Sequence, residues 1–224
     1  FWNRHLGPLG SRPFSDSGTV ESPILTTEYD LSDRSSIRQY MRQQRNLLSP
    51  QQQLQAARSL SKLILSQSWF QRAQNIALYL ANDGEMDPIV LMEKARYRGK
   101  SILLPSLNPS KNGHLCFAPD DGPQIKNKFG IIEPDPKRNR LTPAKQLDIV
   151  FMPLVAFDKH GGRLGMGGGF YDRTFEFLKQ NPMSKPKLIG LAHEFQKVEQ
   201  LPVESWDVPL DGIITDLAVY NVKA

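Results

Sequence analysis

Residues 147–173 read Leu-Asp-Ile-Val-Phe-Met-Pro-Leu-Val-Ala-Phe-Asp-Lys-His-Gly-Gly-Arg-Leu-Gly-Met-Gly-Gly-Gly-Phe-Tyr-Asp-Arg, and no other stretch constrains the fold as tightly. Positions 147–155 are apolar almost throughout, the pattern of a strand covered on both faces. A loop with six glycines follows: Gly161, Gly162, Gly165, Gly167, Gly168 and Gly169. Beyond it Phe170, Phe175 and Leu178 lie among Asp172, Arg173, Glu176 and Lys179, which predicts an amphipathic helix. Strand, glycine loop and helix in that order favour bound phosphate. Glycine takes positive φ and lets the backbone approach a ligand. Successive N–H groups form an anion-binding nest, and the helix start adds free N–H groups. Arg163 and Arg173 flank the loop and are placed to grip phosphate oxygens. No Gly-Lys-Ser/Thr follows, so this is not the phosphate loop of the common nucleotide hydrolases. Phe170 stands where a dinucleotide fingerprint needs its third glycine. The plain alternative is a mobile surface loop.

The rest of the chain alternates strands with helices. Residues 32–48 predict a helix capped by Ser32, with Ile37, Tyr40, Met41, Leu47 and Leu48 apolar. Arg34, Arg38, Arg42 and Arg45 share roughly one face, which is either solvated or turned towards an anion. Ser49-Pro50 starts a second helix, whose stripe runs through Leu54, Ala57, Leu60, Ile64 and Leu65 to Trp69-Phe70. Buried strands are expected at 75–81, 101–105 and 187–192, a helix at 87–98, short strands with Pro-rich turns over 106–146, and a last strand at 212–215. The fold class is therefore α/β: a largely parallel, mixed sheet flanked by helices, a Rossmann-like three-layer domain over residues 32–224. Residues 1–31 are rich in Gly, Pro, Ser and Thr without periodicity, so a disordered tail or upstream extension is expected there.

Glu85 lies in the acidic turn Asn82-Asp-Gly-Glu-Met-Asp87 after a strand, where open α/β sheets bind ligands. It can accept hydrogen bonds from a ligand's amino groups, charge a solvated turn, or mark a helix start. His193 and Cys116 read first as structural groups, and Asp207 alone reads as a turn carboxylate before Pro209. Net charge is +5, and residues 1–36 contain three arginines against five acids, so the body is more basic still. A basic body favours anionic ligands. No Lys/Arg stripe interleaves with aromatics, so no nucleic-acid partner is expected. No apolar run approaches the ~20 residues of a membrane span, and one cysteine fits a reducing compartment; a cytoplasmic protein is expected.

Four motifs occur in order: Arg34-Ser-Ser-Ile-Arg38, Asn82-Asp-Gly-Glu85, Arg163-Leu-Gly-Met-Gly-Gly-Gly-Phe-Tyr-Asp172 and Leu201-Pro-Val-Glu-Ser-Trp-Asp-Val-Pro209. Together they closely resemble the 5-formyltetrahydrofolate cyclo-ligase family in its bacterial form, over about residues 34–216. The resemblance implies ATP- and Mg²⁺-dependent closure of 5-formyltetrahydrofolate, with or without a polyglutamate tail, to the 5,10-methenyl form, with release of ADP and phosphate. It implies ATP contacts at Arg34, Ser35, Ser36, Ile37 and Arg38, and at Arg163, Leu164, Gly165, Met166, Gly167, Gly168, Gly169, Phe170 and Tyr171. Folate contacts fall on Arg38, Leu80, Glu85 and the Met166–Phe170 centre of the loop, and Mg²⁺ on Asp172 and Asp207. Arg38, Arg163 and Tyr171 stand as catalytic candidates, and a monomer is expected. Many relatives have lysine where this chain has Gly168, which leaves Arg163, Arg38 or Arg173 to supply that charge. Two other functions stay open: a non-catalytic folate- or nucleotide-binding regulator of the same fold, and a dinucleotide-dependent oxidoreductase.

Overall fold

The computed structural model describes residues 33–181 and 184–222; the expected tail and the expected cap Ser32 lie outside them. Helix α1 (Arg34–Asn46) is capped by Asp33, whose carboxylate accepts from the Ser35 and Ser36 N–H groups. Helix α2 (Pro50–Leu65) begins at a reciprocal capping box of Ser49 and Gln52. It stops at Ser66, so Trp69 and Phe70 lie on a separate helix, α3 (Ser68–Arg72), instead of extending the stripe. Within α2 the buried face runs through Ala56, Ala57, Leu60 and Ile64, while Leu54 is exposed. The chain continues through β1 (Asn75–Ala77), α4 (Ile89–Tyr97), β2 (Ser101–Leu107), β3 (Leu115–Pro119), β4 (Gln124–Lys126) and β5 (Ile132–Pro134). Then come β6 (Ile149–Pro153), β7 (Ala156–Phe157), β8 (Arg163–Leu164), α5 (Phe170–Phe175), α6 (Phe177–Gln180), β9 (Lys187–Leu191), β10 (Gly212–Ile214) and β11 (Val219–Asn221).

Among the described residues seven strands form one sheet in the order β11-β10-β9-β6-β1-β2-β3. The five central strands are parallel, and β3 and β11 pair antiparallel at the edges. The expected mixed α/β sheet is therefore present. Side chains alternate along each strand, so both faces are buried. Ile76, Ile102, Leu104, Ile149 and Phe151 pack with Leu60, Ile64, Phe70, Leu91 and Met92 of α2, α3 and α4. On the other face Ala77, Leu103, Val150, Met152 and Ile213 pack with Phe175 and Leu178 of α5 and α6. Helix α1 lies apart from both, seating Ile37 and Met41 against Val155, Ala156 and Leu164 of the β7–β8 hairpin. No helix among the described residues is long and apolar enough to cross a membrane.

Two expectations change around the glycine loop. The six glycines do not form one loop, because β7 and β8 pair as a hairpin and Gly161 and Gly162 belong to its turn. Asp158 closes that turn, accepting from the N–H groups of His160, Gly162 and Leu201. The helix beyond the loop is short: α5 ends after six residues at Glu176, where α6 begins. Its macrodipole therefore contributes little, and the groups available to an anion are loop N–H groups and arginine side chains.

Candidate active site

Strand β1 has β2 on one side and β6 on the other, so the chain changes direction across the sheet at this point. Ligands of open α/β sheets bind outside the carboxyl ends of the strands at such a switch. A cavity of about 740 Å³ opens there. Tyr79 and Leu80 line it after β1, Leu104 and Leu107 from β2, and Leu154 after β6. The loop from Gly165 to Gly169 closes one side, with Phe170, Tyr171 and Asp172 of α5 behind it. Gly167 and Gly169 have φ of 94° and 64°, a backbone shape that favours glycine.

Three arginines enter the cavity. Arg163 is buried, bonds Asp172 Oδ1 at 2.5 Å, and leaves its Nε without a partner. Arg38 donates Nε to the Gly165 carbonyl at 2.8 Å and has no carboxylate partner among the described residues. Burial and the nearby Arg34 charge pull its pKa down, so a bound anion would relieve both. Arg34 forks onto Asp207 at 2.8 and 3.3 Å. Burial works to raise the Asp207 pKa, but the Arg34 bond and the Glu204 N–H hold it below the usual carboxylate range. Arg173 is placed differently from expectation. It lies outside the cavity, donating to the carbonyls of Gly113 and Gly168, and stacks 5.5 Å from the Phe170 ring. It braces the loop from behind.

Arg34, Arg38, Leu80, Glu85, Arg163, Gly165 to Gly169, Phe170, Tyr171, Asp172 and Asp207 thus come together in one cavity. Ile37 and Leu164 are buried beneath it in the α1–hairpin core. Ser35 and Ser36 turn their backbone N–H groups to Asp33 and do not line it. The arginine face of α1 divides: Arg34 and Arg38 reach the cavity, while Arg42 and Arg45 both bond Asp83.

Asp172 Oδ1 accepts from Arg163 and from the Val208 N–H, and its Oδ2 has no hydrogen bond among the described residues. No group of three or more His, Cys, Asp or Glu side chains placed to hold a metal occurs among those residues. Magnesium needs only one or two carboxylates, with phosphate oxygens and water completing the octahedron. Asp172 fits that need directly; Asp207 fits it when Arg34 turns from it towards phosphate.

The opposite wall is apolar and acidic. Glu85 is largely buried, and loss of solvation raises its pKa to about 7, against the Asn82 N–H and Arg45 charge that favour the anion. Burial, followed by the Glu85 charge, raises the pKa of Tyr171, so its hydroxyl stays protonated. Asn127, Phe129, Ile131 and Ile132 of the β4–β5 hairpin complete this wall, with Phe129 edge-on to Phe170 at 5.8 Å. Sequence reading missed these residues, and it missed Trp206 and Glu204 at the rim. Glu204 and Trp206 fall within the Leu201–Pro209 motif, which was a signal for them; for the hairpin the signal was an apolar side chain, Phe129, set between Lys128 and Gly130 in a polar turn.

The family model described as the 5-formyltetrahydrofolate cyclo-ligase family matches residues 30–216. This chain belongs to that family. It is 44% identical over 183 residues to the 5-formyltetrahydrofolate cyclo-ligase of Haemophilus influenzae, covering 81% of this chain and 96% of that protein. Identity to the Escherichia coli K12 cyclo-ligase is 38% over 184 residues, covering 81% and 99%. The NMR structure of Aquifex aeolicus 5,10-methenyltetrahydrofolate synthetase superposes with a TM-score of 0.72 at 26% identity, covering 85% of this chain and 93% of that one. The family thus joins an enzyme class to a cavity with a cationic glycine loop on one wall and an apolar, acidic wall opposite.

Proposed function

We propose that this member of the family closes 5-formyltetrahydrofolate to 5,10-methenyltetrahydrofolate, consuming ATP with Mg²⁺ and releasing ADP and phosphate. One observation carries the reading: Arg163 Nε, buried and unpaired, and Arg38, without a carboxylate partner, border the same cavity as Glu85. One wall suits a polyphosphate and the other suits a flat, amino-bearing heterocycle.

The chemistry asks for both. A formyl carbonyl on nitrogen is a weak electrophile, and its oxygen is a poor leaving group. In the proposed route the formyl oxygen attacks the γ-phosphorus, and the bond to ADP breaks. N10 then attacks the formyl carbon, the carbon–oxygen bond breaks, phosphate leaves, and the N10 proton is lost. Arg163 and Arg38 hold charge against the transferring oxygens, and the loop N–H groups fix their direction. Asp172, with Asp207, would hold magnesium, which supplies charge neutralisation between phosphates. Glu85 as the anion accepts hydrogen bonds from the pterin's amino edge. The protonated Tyr171 hydroxyl faces the same space as a donor. With glycine at 168, the cationic charge comes from Arg163 and Arg38, since Arg173 is engaged behind the loop.

Purified protein mixed with 5-formyltetrahydrofolate, ATP and Mg²⁺ should develop the near-ultraviolet band of the methenyl product, and only when ATP is present. A flat trace with both ligands bound would instead support a non-catalytic binding protein.

A further inference from the structure

Beneath the folate wall lies a charged group that the proposed reaction does not use. Arg45, in the last turn of α1, has 0% of its side chain exposed. Its neighbours on the same helix face are the apolar Ile37 and Met41, and an apolar residue would continue that stripe without burying charge. Its bonds show what the guanidinium holds. Nη2 bonds Asp83 Oδ2 at 2.9 Å, and Nη1 donates to the Leu154 carbonyl at 3.2 Å. Asp83 belongs to the turn after β1 and Leu154 to the segment after β6, so one side chain ties the two segments that flank the switch point.

The turn itself has little freedom. Asp83 and Gly84 have φ of 52° and 69°. Asp83 also accepts from Arg42 Nε at 2.6 Å and Asn46 Nδ2 at 3.1 Å. Gly84 packs directly on α1: a Cβ there would meet the Arg45 backbone at 3.0 Å. The Gly84 carbonyl accepts from Gln53 Nε2 at 3.3 Å, with the buried His193 ring beside it. Glu85 closes the turn, its N–H donating to the Asn82 carbonyl and its Oε2 accepting from the Asn82 N–H, both at 3.1 Å. The position of Glu85 follows from this anchored backbone.

We propose that Arg45 is a positioning residue for folate recognition: through Asp83 and Gly84 it fixes where Glu85 stands in the cavity. The proposal rests on Glu85 being a folate contact. Charge gives it a signature that packing alone would lack. The groups facing Glu85 are Tyr79 and Asp83 from the β1–α4 segment, Tyr171 from α5 and Arg45 from α1, with Asp87 near Tyr79 and His193 behind Gly84. Arg45 favours the Glu85 anion and Asp83 disfavours it. Removing each charge therefore moves the ionisation of Glu85 in opposite directions.

The test uses the full chain and four variants, Arg45→Met, Arg45→Lys, Asp83→Asn and Glu85→Gln, with KM for each substrate and the pH profile of kcat/KM for 5-formyltetrahydrofolate. Asn tolerates positive φ, so Asp83→Asn keeps the turn and carries the test if Arg45→Met does not fold. Arg45→Met and Asp83→Asn should raise KM for the folate by up to ~10-fold, no more than Glu85→Gln does, while KM for ATP stays within ~2-fold, because a misplaced carboxylate loses its hydrogen bonds to the substrate. The acid limb of the profile should move to higher pH in Arg45→Met and to lower pH in Asp83→Asn, and Arg45→Lys should restore it. Equal rises in both KM values, or unchanged folate KM in both variants while Glu85→Gln raises it, overturn the positioning role. If Glu85→Gln leaves folate KM unchanged, the Glu85 reading fails and this proposal falls with it.

Discussion

The two walls of the cavity are assembled by different means. The wall proposed for phosphate takes most of its groups from one run of chain, Arg163 to Asp172, set on a hairpin and a short helix. The wall proposed for folate takes its groups from residues 79–85, 104–107, 127–133 and 153–154, which meet only after the sheet has formed. The first wall carries its charge on side chains that line the cavity itself. The second carries three carboxylates: Asp83 is tied to Arg42 and Arg45, Glu133 is taken up by the Leu107 N–H and the Asn127 amide, and Glu85 is left towards the cavity, with Arg45 behind it. A local motif fixes geometry through backbone shape and tolerates loose surroundings. A wall gathered from distant segments depends on anchors far from the ligand.

If that contrast is right, the largest loss comes from inside the phosphate wall. Arg163→Met should lower kcat about 10²- to 10³-fold, the range for removing a transition-state donor, whereas Arg173→Ala, on the same loop but outside the cavity, should cost less than ~10-fold. Steady-state rates for the two variants check this, and equal losses would erase the distinction between cavity and brace. Asp172→Asn comes next: at limiting Mg²⁺ its turnover should fall roughly 100-fold, and excess Mg²⁺ should recover part of it. A Mg²⁺ titration that superimposes on wild type removes the metal assignment.

The folate wall should respond more gently and in KM. Glu85→Gln should raise KM for 5-formyltetrahydrofolate ~10-fold, with ATP affinity unchanged. The wild-type kcat/KM for folate should fall as pH drops through about 7, because protonation turns one Glu85 oxygen from an acceptor into a donor and removes the charge that strengthens its bonds to the pterin; the variant should lack that limb. The same group sets a stability trend of opposite sense. Its folded pKa lies above the ordinary 4.5, so the folded state binds its proton more tightly than the unfolded chain does. That contribution is full below pH 4.5 and is lost as pH rises through about 7. Thermal denaturation above pH 7 should therefore show Glu85→Gln more stable than wild type by up to ~3 kcal/mol, with a smaller difference in acid. The smallest effect is expected from Phe129→Ala. The Phe129–Phe170 edge contact is worth about 1 kcal/mol, or roughly fivefold in folate KM. A loss as large as that of Arg163→Met would make the β4–β5 hairpin a principal part of the site.

The same contrast explains what could be read in advance. The glycine loop, Asp172 and the buried strands announce themselves in local pattern, and so does the helix start at Ser49-Pro50. What sequence could not give was pairing across distance. Arg45 reads as one more exposed member of an arginine stripe until Asp83, 38 residues away, is brought against it. Arg173 reads as a phosphate ligand until Gly113, 60 residues away, takes its Nε. Gly161 and Gly162 merge with the loop in sequence because a two-residue hairpin has too short a pattern to detect. Asp33 caps α1 because its carboxylate meets two N–H groups at once. Strand β11 is partly exposed and sits at an edge, so it lacks the apolar run that marked the central strands.

The central claim is that phosphate and folate meet in one cavity, so that the formyl oxygen leaves on phosphorus. The most direct measurement is oxygen transfer from 5-formyltetrahydrofolate carrying ¹⁸O in its formyl group, with the released phosphate analysed by mass. One ¹⁸O in each phosphate, formed in step with the methenyl product, is the expected result. Phosphate free of ¹⁸O during the same turnover would mean that ATP is hydrolysed apart from the folate, and would contradict the shared cavity as the place where the two react.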